Sequence, residues 1–243
     1  MSSSQHFSVG TIGAGTLAQA IAGHAVAAGH RVIFSNSRGP ESLEPLTSRF
    51  GANASAGTVA EAARADIVIL AVGWEQVPAA VKDVPDWNGR IVIDATNQWQ
   101  DSSRGIAADL GDQTGSERNA ALMPGARVVK AFNALYGRIT AQNPRRTDGR
   151  LVVFLAGDRA DAKATVSAFA DSTGFAPVDL GGLHDAGRLM QVGGGPPSGL
   201  HVVKLKWPQQ SWPCPARRDE KNGLRLGPPM GHRGPSYVAA QVF

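Results

Sequence analysis

At 243 residues the chain is long enough to bury the core of one α/β domain plus a modest addition, but short for two full domains. No apolar run approaches the ~20 residues of a membrane-spanning helix, and the polar opening Met1-Ser2-Ser3-Ser4-Gln5-His6 lacks a signal-peptide core, so a cytoplasmic setting without a membrane partner is expected. The lone Cys214 excludes a disulfide framework and a cysteine zinc cluster. The net charge of +4 resides entirely beyond Lys204, and gives no reason to expect a nucleic-acid partner for the folded body.

Taken in order, residues 7–12 form a short apolar strand pattern. The turn Gly13-Ala14-Gly15 follows, then an apolar-periodic helix through Gly29, then a second strand that ends in Ser35-Asn36-Ser37-Arg38. Gly39-Pro40-Glu41 opens a helix to about residue 50, because proline is tolerated in the first turn and an acid there suits the helix dipole. Thr58 and Glu61 have capping-box spacing for a short helix over 58–65. The β-branched runs at 67–72 and 90–95 predict buried parallel strands, with a weak helix over 76–82 between them. Residues 96–99 are expected as a loop, 113–116 as a turn, 119–123 as a helix and 127–132 as a further strand.

A second unit follows, with a strand at 151–155, a helix at 160–173, a strand at 176–180, a glycine loop at 181–185 and a short helix at 186–192. Beyond Lys204, prolines and glycines interrupt every periodic pattern. The fold class is therefore α/β: a doubly wound parallel sheet of the Rossmann kind over 1–140, a small α/β extension over 141–204 on the substrate side, and an irregular, proline-rich basic tail over 205–243.

A glycine turn between a strand and a helix is the entry to a dinucleotide site. Gly13 permits the tight turn and Gly15 lets the backbone approach a pyrophosphate. Ala14, Thr16 and Leu17 carry the unpaired N–H groups of the turn and helix start, and Ala18, in place of a third glycine, still allows close packing. The second strand does not end in the acid that accepts ribose hydroxyls in NAD sites. Ser37 and Arg38 stand there instead, with Ser42 nearby as a further donor, which points to the 2′-phosphate of NADP(H). Ligands in such sheets lie beyond the strand carboxyl ends, so Val72, Gly73, Trp74, Asn97 and Asn133 are expected along the cofactor. His184, in its glycine-rich loop, is the candidate catalytic acid or base. Lys130, inside a strand pattern, is expected to be structural, and no metal-ligand cluster is evident.

Five segments occur in order: Gly10-Thr11-Ile12-Gly13-Ala14-Gly15, Ser35-Asn36-Ser37-Arg38-Gly39-Pro40, Ala71-Val72-Gly73-Trp74, Val128-Val129-Lys130-Ala131-Phe132-Asn133 and Asp179-Leu180-Gly181-Gly182-Leu183. Together, over about residues 7–204, the chain resembles the NADPH-dependent coenzyme F420 reductase family. The resemblance implies that Gly13 to Ala18 bind the pyrophosphate, that Ser37 and Arg38 take the 2′-phosphate, and that Val72, Trp74 and Asn97 flank the nicotinamide. It also implies hydride transfer between NADPH and a stacked deazaflavin (F420); the acceptor in this chain does not follow from it, so F420, a flavin and a small carbonyl or imine compound stay open, as does a homodimer. The proline-rich tail departs from the family, which has a carboxyl-terminal helix at that place. Two other readings stand beside this one: a pyrroline-5-carboxylate-reductase-like imine reductase, disfavoured by the βαβ pattern over 151–204, and a non-catalytic NADPH sensor.

Overall fold

A computed structural model describes residues 6–84, 86–206 and the backbone of 238–241. The chain opens with β1 (Ser8–Ile12), α1 (Thr16–Ala27) and β2 (Arg31–Ser35), followed by a 3₁₀ turn (Pro40–Leu43) that runs into α2 (Glu44–Phe50). It continues through β3 (Ala54–Ala56), α3 (Val59–Ala62) and β4 (Ile67–Leu70), then a 3₁₀ turn (Trp74–Gln76) into α4 (Val77–Val81) and β5 (Ile91–Asp94). A small hairpin of β6 (Trp99–Asp101) and β7 (Ile106–Ala107) precedes α5 (Gly115–Ala121), β8 (Arg127–Ala131) and α6 (Gly137–Thr140). The last elements are β9 (Gly149–Ala156), α7 (Ala160–Ser172), β10 (Ala176–Asp179), α8 (Asp185–Met190), β11 (His201–Leu205) and β12 (Val238–Gln241).

The main sheet runs β12-β11-β9-β8-β5-β4-β1-β2-β3, with β10 also paired to β9. From β3 to β8 every pairing is parallel, as the alternation of strands and helices requires. Strand β9 turns antiparallel to β8, because the single turn of α6 is too short to carry the chain back across the sheet. Residues 149–180 then add their own parallel pair, so the second unit extends the same sheet rather than standing apart.

Period-two alternation sends the strand side chains to two apolar layers. Ile67, Ile69, Ile91, Ile93 and Val129 pack with Ile21 of α1 and Phe169 of α7, while Val68, Leu70, Val92 and Val128 pack with Val77, Val81 and Trp87 on the other face. Alanines at 18, 22 and 25 let α1 lie close to the sheet. His30 pins the first layer from within. Its Nδ1 accepts the Phe7 N–H at 3.1 Å, which fixes the proton on Nε2, and Nε2–H donates to Ser172 Oγ at 2.8 Å. Among the described residues no helix is long and apolar enough to cross a membrane.

Three local expectations change. The helix expected from residue 119 begins at Gly115, because Thr114 and Glu117 form a full capping box where only a turn is expected. The loop after β5 contains the β6-β7 hairpin. Within the segment expected to be irregular, Leu205 ends β11, and Val238–Gln241 pair antiparallel with it; the rest of that tail, apart from Lys206, lies outside the described residues.

Candidate dinucleotide site

The glycine turn is fixed by backbone sterics. Gly13 sits at φ +103°, a region that disfavours any residue with a Cβ, and a Cβ there would run into the Ala71 carbonyl and Val72 Cγ1. Its N–H donates to Ser35 O at 3.1 Å, tying the turn to the end of β2, and Gln19 Nε2 donates to Ala14 O at 2.8 Å from below. Gly15 differs: nothing lies within 4 Å of the place its Cβ would occupy, so the space over it is open to a ligand. It is also the N-cap of α1, which has neither a side-chain cap nor an acid in its first turn. Helices α3 and α5 both carry capping boxes; α1 leaves its N–H groups free for an anion.

A cavity of about 450 Å³ runs from this helix start across the carboxyl ends of β4 and β5. Gly15, Thr16 and Leu17 form one end; Val72, Gly73 and Trp74 form the side; Thr96 and Asn97 form the floor; Trp99, Gln100 and Ser102 of the hairpin region close the far end. These residues fit a dinucleotide: an uncapped helix start for phosphates, then a partly apolar slot with amide groups for a ring.

Of the sequence-predicted residues, Gly15, Thr16, Leu17, Val72, Gly73, Trp74 and Asn97 meet in this cavity. Gly13, Ala14 and Ala18 build the turn and helix behind it, and Ala18 is fully buried against the sheet. Ser37 and Arg38 lie exposed in the turn after β2, next to the glycine turn through the Gly13–Ser35 contact. That turn is shaped by Asn36, whose Oδ1 accepts the Arg38 N–H at 2.9 Å and whose Nδ2 donates to Ser42 Oγ at 2.9 Å. Ser42 donates in turn to Gly39 O at 2.8 Å, so it braces the loop, while the Arg38 guanidinium has no partner among the described residues.

Asn133 does not reach the cavity; it stands behind Asn97. Asn97 Nδ2 donates to Asn133 O at 2.9 Å, and Asn133 Nδ2 donates to Asn97 Oδ1 at 3.0 Å and to Met190 O at 2.8 Å. The residue before Asn133, Phe132, has a φ of +63°, which is rare for a residue with a side chain. The Phe132 ring is held between Phe169 and Phe175.

His184 is not among the cavity-lining residues. Its Nδ1 is 3.0 Å from Glu117 Oε1, at the junction of α5 and α8. Burial would raise the Glu117 carboxyl, but hydrogen bonds from the Thr114 N–H and from His184 outweigh this and hold it below its ordinary value.

Beneath the floor lies a buried polar cluster that sequence reasoning did not assemble. Asp94, fully buried, receives the Thr96 N–H at 2.9 Å and Thr96 Oγ1 at 2.7 Å on Oδ1, and Ser116 Oγ at 2.6 Å and Asn119 Nδ2 at 3.1 Å on Oδ2. Lys130 Nζ donates to Thr96 O at 3.2 Å and to Ser116 Oγ at 3.1 Å. Burial pushes the Lys130 amine below its ordinary value, and the Asp94 charge opposes the shift. The signal for Ser116 and Asn119 was the Thr114-to-Glu117 capping spacing, which puts both on the buried side of α5.

Residues 8–98 match the family model described as NADP oxidoreductase, coenzyme F420-dependent. Among curated proteins, metalloreductase STEAP3 of Rattus norvegicus is 31% identical over 185 residues, which are 76% of this chain and 36% of that protein, so the chain spans about a third of this relative's length. Among solved structures, a hypothetical protein of Sinorhizobium meliloti is 39% identical with a TM-score of 0.76, over 84% of this chain and 97% of that one. A protein of Arthrobacter sp. FB24, proposed to be an F420-dependent NADP reductase, shares the fold at 24% identity with a TM-score of 0.63, over 74% of this chain and 87% of that one. The glycine turn, the uncapped helix and most of the cleft lie inside the matched segment, so residues 8–98 carry the pattern of the coenzyme F420-dependent NADP oxidoreductase family.

Proposed function

We propose that the chain binds NADPH across the carboxyl ends of its central strands and reduces a flat ring acceptor, a deazaflavin such as F420 or a flavin, laid in the same cleft. The observation that carries this reading is the continuity of one cavity from the open helix start at Gly15 to Trp74, Asn97 and Trp99. The bound cofactor would supply the hydride. The chain's own part is placement: α1 and the Gly13–Gly15 turn hold the pyrophosphate, Ser37 and Arg38 hold the 2′-phosphate, and the fixed amide of Asn97 orients the nicotinamide carboxamide. Two rings held in near-attack geometry need little beyond positioning, so no acid–base pair is required for the hydride step. Trp74, whose Nε1 points to Gly115 O at 3.4 Å, and Trp99 wall the slot and keep water from the reacting faces.

The rat relative, by name a metalloreductase, supports an oxidised metal ion as a second acceptor class, for which a ferric chelate is the probe. The test follows NADPH oxidation by its near-ultraviolet absorbance with F420, riboflavin phosphate and ferric chelates offered in turn. Oxidation with F420 or the flavin is expected. Oxidation with the ferric chelate alone would move the assignment to metal reduction, and NADPH binding without oxidation across the panel would leave a sensor.

A further inference from the structure

The floor of the cleft is over-determined for a stretch of loop. Every polar atom of Thr96 is engaged: its N–H and Oγ1 by Asp94, its Oγ1 again by Asn119, and its carbonyl by Lys130. The next residue, Asn97, is locked to Asn133. Register brings the parts together, since Asp94 and Lys130 are paired positions on the adjacent parallel strands β5 and β8. Ser116 completes the link by accepting from Lys130 and donating to Asp94. The helix that carries Ser116 starts at Gly115, where a Cβ would lie 3.3 Å from both Trp74 Nε1 and Gln98 Cβ, so α5 is seated against the wall of the slot as well.

From this arrangement we infer that Lys130 is a positioning residue for the nicotinamide end of the site, holding the Thr96 carbonyl and, through Ser116, the start of α5, so that Asn97 and Trp74 present a fixed surface to the ring. The inference rests on the NADPH reading above. A lysine serves here where an apolar residue would not, because its cation compensates the Asp94 carboxylate while donating to two oxygens on different elements. The side chain is 1% exposed and does not line the cavity, so it acts through Thr96 and Ser116 and touches no reacting atom.

The test compares wild type, Lys130→Met and Ser116→Ala as full chains, with two ligands: NADPH and 2′-phospho-ADP-ribose, which keeps the phosphates and lacks the nicotinamide. Binding is read by quenching of tryptophan emission, to which Trp74 and Trp99 in the cleft contribute. The expected result for Lys130→Met is a loss of roughly tenfold in NADPH affinity, the size of one well-placed hydrogen bond, with the shortened ligand changed by less than about twofold. Loss of a distant positive charge would weaken both ligands alike, because both carry the same phosphates. Ser116→Ala keeps the charge and is expected to move the two affinities apart in the same sense by a smaller factor; it reads the inference if Lys130→Met does not fold. Equal losses for the two ligands, or none in a folded variant, would overturn the positioning role. Failure of wild type to bind either ligand would overturn the NADPH reading instead.

Discussion

Replacing Arg38 with alanine is expected to separate the two nicotinamide cofactors. The Arg38 guanidinium is exposed, has no partner among the described residues, and sits in a turn held by Asn36 through the Arg38 backbone N–H. Truncation therefore removes the side chain without undoing the turn. A charge-assisted hydrogen bond from Arg38 to a phosphate contributes ~1.5–3 kcal/mol, and solvent screening at an exposed site favours the lower end. That lower end is a loss of about tenfold in NADPH affinity. NADH has no 2′-phosphate, so it loses only any stacking of the guanidinium on adenine, a contribution that NADPH shares. The measurement is the dissociation constant of each cofactor by fluorescence titration at fixed ionic strength, repeated at high salt. Wild type should lose NADPH affinity with salt more steeply than Arg38→Ala does, since screening acts on the contact the variant lacks. Equal losses for NADPH and NADH would refute the phosphate assignment and leave Arg38 as an ordinary surface residue.

Two further outcomes follow from the frame of the site. Gly13→Ala combines a positive φ with a collision against the Ala71 carbonyl and Val72, so it should destabilise the fold by about 2–4 kcal/mol in chemical denaturation and weaken NADPH binding; an unchanged midpoint would refute the close approach. His30 has its pKa lowered, first by burial and then by the neighbouring His6. The folded state therefore binds fewer protons than the unfolded state between the depressed value and the ordinary one of ~6.5, and stability falls as the pH drops through that window. Urea midpoints at about pH 7.5 and about pH 5.5 should fall more in wild type than in His30→Gln, and parallel falls in the two proteins would contradict the buried neutral imidazole.

The first third of the molecule was legible because its signals are local. The glycine turn, the strand that precedes it and the polar end of the second strand each state their conformation within a few residues, and β1, α1 and β2 form where those residues predict. The capping box at Thr58 is equally local; the identical device at Thr114 is masked because the Gln113-Thr114-Gly115-Ser116 stretch also has the composition of a turn. Gly115 occupies the first helical position there because a side chain would crowd Trp74 and Gln98, a contact made across 41 residues of chain and invisible in a local window.

What sequence could not assemble is the support beneath the cleft, and the reason is geometric. Asp94 ends one strand, Lys130 lies near the end of another, and Ser116 and Asn119 ride on a helix between them; each is unremarkable in its own segment. The register of β5 on β8 brings the carboxylate and the amine to the same level, and α5 lowers a hydroxyl between them. The binding surface and its support thus obey different rules. Backbone devices such as a positive φ or an uncapped helix can be written in a few adjacent residues. Fixing a loop of extended chain against a mobile ring needs partners from several elements, because the three polar atoms of Thr96 point in different directions and no single neighbour can meet them all.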